Sequence, residues 1–198
     1  REILHSRART IVVLEKRDRR SHQGISTLHT IGCMLPYSGL HHLLFAALRH
    51  PLLIMTSANL PGYPMITDVS DAFNRIAGVV DYILTHDRRI VNRCDDSVVR
   101  DGYIIRLSRG LAPKRVSIDL GSRTILGVGP ELNANVSLYR EGFCITSPHV
   151  GNVRNPRTLA YLQETAERLG GLVGARYDRV VHDLHPQFLS TRYAREVA

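Results

Sequence analysis

Short runs of β-branched residues alternate with segments of helical apolar spacing over about the first 110 residues. Residues 10–14 and 30–35 are predicted strands, and residues 40–48 carry apolar side chains on one face of a helix. A consecutive apolar run at 52–55 predicts a further, buried strand. Thr67 or Asp68 could then cap a helix that buries Val69, Phe73, Ile76 and Ala77. Short strands at 82–85, 96–99 and 103–107 complete the set. This alternation predicts an α/β fold with layered sheets and helices.

Around residues 110–122 glycine, proline and basic residues predict a connector, after which a second unit begins. Asn155 followed by Pro156 predicts the start of a helix whose apolar face is Leu159, Leu162, Ala166 and Leu169. Gly170 and Gly171 weaken or end this helix. Ser190 is predicted to cap a final helix. The strands predicted in this unit are 124–129, 135–139, 143–147 and 179–182. They are too few to close a sheet unaided, so we interpret this unit as the opening of a larger domain.

Composition limits the partners and the compartment. The formal net charge of +8 favours an anionic ligand, a polyanion or an acidic partner. Three cysteines lie far apart in the sequence, which argues against a disulfide framework and favours a cytoplasmic, reducing setting. We expect no membrane span, because no apolar run is long enough. The chain begins at Arg1, so we expect a part of a longer protein.

The segment Thr56-Ser57-Ala58-Asn59 directly follows the apolar run and precedes Pro61 and Gly62. Small hydroxyl and amide side chains after a strand offer several hydrogen-bonding groups in little volume, which suits phosphate or ribose oxygens. A polar turn that ends a core strand is the alternative. Arg93, Asp95 and Asp96 could likewise be ligand-binding groups or a local turn of ion pairs.

Six segments occur in an order that closely resembles the HypF family, the carbamoyltransferases that mature NiFe hydrogenases. They are MLPYSGLHHLLF at 34–45, MTSANLPG at 55–62, HDRRIVNRCDDSVVR at 86–100, IRLSRGLAP at 105–113, ILGVGPELNANVSL at 125–138 and VVHDLHPQFLSTRYA at 180–194. Residues 1–115 resemble the C-terminal part of a YrdC/Sua5-like domain with a twisted mixed sheet. Residues 116–122 then form a linker, and residues 123–198 resemble the start of a Kae1-like domain of actin/hexokinase-like fold.

The resemblance implies an activity and its partners. In this family carbamoyl phosphate supplies carbamate, and the YrdC-like domain joins it to ATP, with Mg²⁺ on the triphosphate, as carbamoyl-adenylate. The Kae1-like domain passes the carbamoyl group to the C-terminal cysteine of the partner HypE. Zinc is expected only in segments outside this chain, which alone should be inactive or bind nucleotide only in part.

The resemblance also implies site residues. Ser57 and Asn59 match the family's Ser-x-Asn signature and, with Arg106, are the expected catalytic residues. The expected nucleotide-binding residues are Thr56, Ser57, Asn59, Ser97, Arg106, Arg109, Gly127 and Gly129. Arg106 or Arg109 would meet phosphate, and the two glycines would form a phosphate loop. No metal ligand is expected, and His182 and His185 are interpreted as structural. Pro61 and Pro130 depart from the family pattern.

Two other functions are compatible with the basic charge and the predicted first domain. An RNA-binding module would use the basic surface. A threonylcarbamoyl-adenylate synthase, which acts in tRNA modification, has a similar first domain. The continuation into a Kae1-like opening favours the carbamoyltransferase.

Overall fold

A computed structural model describes residues 2–174 and 176–198 and shows a mixed α/β protein with two mixed sheets, which confirms the predicted fold class. The chain divides into two compact units. Unit 1 comprises residues 1–56 and 96–111, and unit 2 comprises residues 57–95 and 112–198. No helix within the described ranges is both long and apolar enough to cross a membrane.

Unit 1 is built on a four-stranded sheet with the order β2-β1-β3-β4. β1 pairs antiparallel with β2 and parallel with β3, and β3 pairs antiparallel with β4. Its elements are α1 (Glu2–His5), β1 (Ile11–Glu15), β2 (Thr30–Cys33), α2 (Gly39–Ala47), β3 (Val98–Arg100) and β4 (Tyr103–Arg106). The β-branched runs at 10–14 and 30–35 thus form strands, as predicted, within one or two residues of the expected bounds.

Unit 2 contains a five-stranded sheet with the order β5-β8-β7-β6-β9, in which only β6 and β9 are parallel. Its elements are α3 (Val69–Ile76), β5 (Lys114–Ser117), β6 (Ile125–Val128), β7 (Val136–Arg140), β8 (Phe143–Thr146), α4 (Pro156–Val173), β9 (Arg179–Val181) and α5 (Leu189–Glu196). Strand β5 lies inside the stretch 110–122 that the sequence predicted as a connector.

The hydrophobic core of unit 2 lies where α4 and α5 cover the sheet. Leu126, Val136 and Leu138 point from β6 and β7 toward Leu162 and Ala166 of α4, and all five are at most 1% exposed. The helical spacing of Leu162, Ala166 and Leu169 therefore marks a buried face, as predicted. This packed layer fixes the position of α4, on which the site described below depends.

Two predicted strands are wrong. Residues 52–55 and 82–85 lie outside regular structure, and Ile54 and Tyr82 are 75% and 93% exposed. A strand needs a hydrogen-bonded neighbour as well as apolar residues, and none of the described strands pairs with either segment. The apolar run before Thr56 is therefore an exposed, irregular segment.

Three helix predictions are corrected in detail. Helix α3 begins after Asp68 as predicted, but none of its residues is buried; Val69 and Phe73 are 43% and 55% exposed. Helix α4 continues through Gly170 and Gly171 to Val173 and ends at Gly174, whose left-handed conformation stops the helix. Helix α5 starts after Phe188, so Ser190 is buried within its first turn rather than capping it.

Candidate functional site

Residues 57–66, called here the 57–66 loop, fold back on themselves through their own backbone. The Ile66 amide donates to the Ala58 carbonyl at 2.9 Å, and the Tyr63 amide donates to the Leu60 carbonyl at 3.0 Å. Gly62 at the tip has φ +78°, a conformation that glycine adopts without steric cost. The loop is therefore an ordered turn that presents its first residues at the surface.

Asn59 holds this loop together with its side chain. Its Nδ2 donates to the carbonyl oxygens of Tyr63 at 2.9 Å and Leu60 at 3.2 Å. Its Oδ1 accepts a hydrogen bond from the Ser57 hydroxyl. Both amide hydrogens are thus used inside the loop, and Asn59 orients Ser57.

Ser57 is the ligand-accessible member of the pair. It is exposed, and a hydroxyl rotates freely, so its proton can turn from Asn59 to a phosphate oxygen. Thr56, also predicted to bind nucleotide, is exposed and lies outside regular structure. After the loop, Asp68 caps α3, and hydrogen bonds from the Ser70 hydroxyl and the amides of Asp71 and Ser70 lower the pKa of its carboxyl group.

In unit 1 the ends of β3 and β4 bring together Ser97, Arg106 and Arg109. Ser97 is fully buried, and its hydroxyl accepts a hydrogen bond from the Ser108 amide at 2.7 Å. Arg106 is the last residue of β4 and pairs with Val98. Ser97 is therefore placed to fix the turn that follows β4, and not to contact solvent.

The two arginines differ in what their guanidinium groups contact. Arg109 donates to Asp96 Oδ1 at 2.7 Å and to the carbonyl oxygens of Ala8 and Arg9 at 3.1 and 2.7 Å. It also stacks over the Tyr37 ring at 3.6 Å. The half-buried Arg106 makes no side-chain hydrogen bond or ion pair with any residue in the described ranges. Of the two, Arg106 has the guanidinium group available to an anion.

Gly127 and Gly129, predicted to form a phosphate loop, occupy different positions. Gly127 lies within β6, and a Cβ added there would meet Ser137 at an ordinary 3.6 Å. Gly129 follows β6 and donates its amide to the Asn135 carbonyl at 3.1 Å; a Cβ there would lie 2.5 Å from that oxygen. Only Gly129 is therefore required to be glycine by its surroundings.

The turn after Gly129 is braced by the segment before α4. The Val153 amide donates to the Glu131 carbonyl at 2.7 Å, and the Arg154 guanidinium donates to the Glu131 carboxylate at 3.1 Å. Across residues 2–174 and 176–198 no group of three or more His, Cys, Asp or Glu side chains could hold a metal ion.

Two family models match consecutive parts of the chain. The Sua5/YciO/YrdC model, described as "Telomere recombination", matches residues 2–108, and the model described as "HypF Kae1-like domain" matches residues 121–198. The fold and the order of its parts thus define a protein with a Sua5/YrdC domain followed by a Kae1-like domain.

Sequence relatives and solved structures are similar to nearly the whole of this chain. The "Probable carbamoyltransferase HypF" of Methanocaldococcus jannaschii is 42% identical over 98% of this chain and 26% of its own length. The crystal structure of HypF from T. kodakarensis is 37% identical, with a TM-score of 0.91 over 98% of this chain and 26% of that one. A full-length HypF in its phosphate- and nucleotide-bound form is 34% identical, with a TM-score of 0.89 over 98% of this chain and 31% of that one. The chain belongs to the HypF family and spans about a quarter of the length of the curated relatives it matches.

Proposed function

We propose that this chain is the central part of a carbamoyltransferase that forms carbamoyl-adenylate from carbamoyl phosphate and ATP. The carbamoyl group then passes to the C-terminal cysteine of the partner HypE, in a cytoplasmic setting. The observation that carries the proposal is the ordered 57–66 loop, in which Asn59 holds an accessible Ser57 hydroxyl at the surface. Relatives named carbamoyltransferase align with 98–99% of this chain, which supports the proposal that it is part of a carbamoyltransferase.

The chemistry requires charge stabilisation and no covalent intermediate with the protein. Water hydrolyses carbamoyl phosphate to carbamate and phosphate. A carbamate oxygen then attacks the α-phosphorus of ATP, the bond to the β-phosphate oxygen breaks, and pyrophosphate leaves. Transfer of the carbamoyl group to the HypE thiol later releases AMP. Negative charge grows on the oxygens of the pentacoordinate phosphorus, where preorganised donors act most strongly. The Ser57 hydroxyl supplies such a donor in our proposal. The family resemblance gives the Arg106 guanidinium, which makes no hydrogen bond or ion pair to the described residues, as a second phosphate contact. Mg²⁺ would bind the triphosphate oxygens and neutralise part of their charge.

The remaining predicted residues take supporting roles in this proposal. Asn59 orients Ser57, and Ser97 and Arg109 hold the turn that follows β4. In the Kae1-like segment, the close approach of the backbone at Gly129 leaves a turn without side-chain bulk, which suits a nucleotide phosphate. Gly127 would support that turn from within β6.

Ser57→Ala in the complete gene product tests this assignment. The exchange of labelled pyrophosphate into ATP in the presence of carbamoyl phosphate should fall roughly ten- to a hundred-fold, the effect of one lost hydrogen bond to a charged group. Ser122→Ala is the matched control, because Ser122 is also an exposed serine. Wild-type exchange by Ser57→Ala would refute the assignment of Ser57.

A further inference from the structure

The N-terminus of α4 is bonded to the tip of the 57–66 loop. Asn155 Nδ2 donates to the Gly62 carbonyl at 2.7 Å, while Asn155 Oδ1 accepts from the amides of Arg157 and Thr158 at 3.0 and 3.1 Å. One side chain therefore caps the helix and holds the loop at the same time. These residues lie 93 positions apart in the sequence but within unit 2.

Two residues, Tyr63 and Asn59, connect Gly62 with Ser57. Gly62 is followed by Tyr63, whose carbonyl accepts from Asn59 Nδ2, and Asn59 Oδ1 accepts from the Ser57 hydroxyl. The Arg157 guanidinium, in the first turn of α4, lies 5.5 Å from the centroid of the Tyr63 ring. A displacement of Asn155 would thus reach Ser57 through a continuous set of contacts.

A second connection holds the other end of the loop. Arg93 donates through Nε to the Met65 carbonyl at 2.8 Å and through Nη1 to Glu164 Oε2 of α4 at 3.3 Å. The Tyr161 hydroxyl, also on α4, donates to the Arg93 carbonyl at 3.0 Å. Burial, with a smaller contribution from Asp95, raises the pKa of Tyr161 to about 12, so Tyr161 remains a donor at neutral pH.

We propose that Asn155 and Arg93 are positioning residues for the adenylation site, and that α4 sets the conformation of the loop that carries Ser57. Helix α4 belongs to the segment that matches the Kae1-like model, whereas the loop belongs to the segment that matches the Sua5/YrdC model. The helix of one catalytic segment thereby supports the ligand-binding loop of the other. This inference rests on the proposed function of Ser57.

Asn155→Asp separates the two roles of Asn155. Aspartate keeps the oxygen that caps α4 but loses the Nδ2 donor, and it brings a carboxylate oxygen toward the Gly62 carbonyl. A loosened loop adopts the binding-competent conformation less often, and the apparent Kd for ATP rises in inverse proportion. We expect the KM for ATP in pyrophosphate exchange to rise roughly three- to ten-fold, the effect of one lost neutral hydrogen bond, with a much smaller change in kcat.

Thr158→Val is the matched control. The Thr158 hydroxyl accepts from the Asn155 amide at 3.4 Å and donates to the Asn155 carbonyl at 3.1 Å, and it does not contact the loop. This variant weakens the cap and retains the bond to Gly62. It should lower Tm at least as much as Asn155→Asp, and its KM for ATP should equal that of the wild type.

Arg93→Lys tests the second connection independently. Lysine keeps the charge beside Glu164 but cannot donate to Glu164 and the Met65 carbonyl with the fixed geometry of a guanidinium. The KM for ATP should rise here as well. An unchanged KM in both Asn155→Asp and Arg93→Lys, with exchange impaired in Ser57→Ala, would overturn this inference alone. An equal rise in Thr158→Val would also overturn it, because the effect would then follow helix stability. Unimpaired exchange in Ser57→Ala would overturn the site on which both proposals rest.

Discussion

Arg106 and Arg109 lie three residues apart, yet their guanidinium groups have different surroundings. Three of the five N–H groups of Arg109 donate to protein acceptors, and its ion pair with Asp96 at 2.7 Å is only about one-fifth exposed on either side. Arg106 has no such partner among the described residues. The sequence resemblance implied that either arginine could meet phosphate, and the contacts favour Arg106.

Glutamine at each of these positions should therefore give opposite results. Arg109→Gln removes three charge-assisted hydrogen bonds and leaves Asp96 without its partner, so the free energy of unfolding should fall by about 2–3 kcal/mol. Arg106→Gln should leave that free energy within about 0.5 kcal/mol of wild type, because no side-chain hydrogen bond or ion pair is lost, while pyrophosphate exchange falls at least ten-fold. Denaturant unfolding and the exchange assay check the two effects separately. Loss of stability in Arg106→Gln without loss of exchange would refute the distinction.

Partners distant in the sequence explain why residue roles were only partly predictable. Arg93, Asp95 and Asp96 were interpreted as binding groups or a local turn of ion pairs. In the structure Arg93 pairs with Glu164, Asp95 with His149 at 2.8 Å, and Asp96 with Arg109. All three residues are thus paired within the protein, as the structural alternative expected, but with partners distant in the sequence and not within one turn. Asn155 was likewise recognisable as a helix cap, but its bond to Gly62 was not.

At the scale of elements, Gly127 within β6 and Gly129 directly after it have contrasting surroundings. A methyl group at Gly129 would lie 2.5 Å from a backbone carbonyl, which cannot move without shifting β7. We therefore expect Gly129→Ala to lower the free energy of unfolding by about 1–3 kcal/mol, as overpacking does. Gly127→Ala should change it by less than about 1 kcal/mol in either direction, because its methyl group would make an ordinary contact.

Thermal or denaturant unfolding of both variants checks this expectation. Equal stability losses in the two variants would contradict the steric argument. If Gly129 also serves a nucleotide phosphate, Gly129→Ala should in addition weaken nucleotide binding by the Kae1-like segment, and Gly127→Ala should not.

The sequence predicted elements well where its pattern matched a packed layer. The spacing of Leu162, Ala166 and Leu169 predicted a buried helix face, and every described strand except β5 overlaps a strand predicted from the sequence. The same kind of pattern failed at 52–55, 82–85 and the face of α3, because burial requires a covering layer that local sequence cannot supply. The 57–66 loop was recognised by its polar residues although the strand predicted before it is absent.

At the scale of the whole molecule, sequence similarity and packing divide the chain differently. The Sua5/YrdC model matches residues 2–108 without a break, whereas residues 57–95 pack in unit 2 with the Kae1-like segment. The contacts of α4 with the 57–66 loop and with Arg93 are part of that packing. Our division at residues 115 and 123 remains a proposal based on resemblance. The packing therefore links the 57–66 loop to the Kae1-like segment.

The most direct test of this account is the exchange of labelled pyrophosphate into ATP by the complete gene product. The assay compares carbamoyl phosphate, bicarbonate with threonine, and neither addition. Adenylation of carbamate is reversible and releases pyrophosphate, so we predict that exchange requires carbamoyl phosphate. Exchange that requires threonine would contradict the account and assign the protein to tRNA modification. The absence of exchange under all three conditions would also contradict it, and salt-sensitive RNA binding would then be the next property to measure.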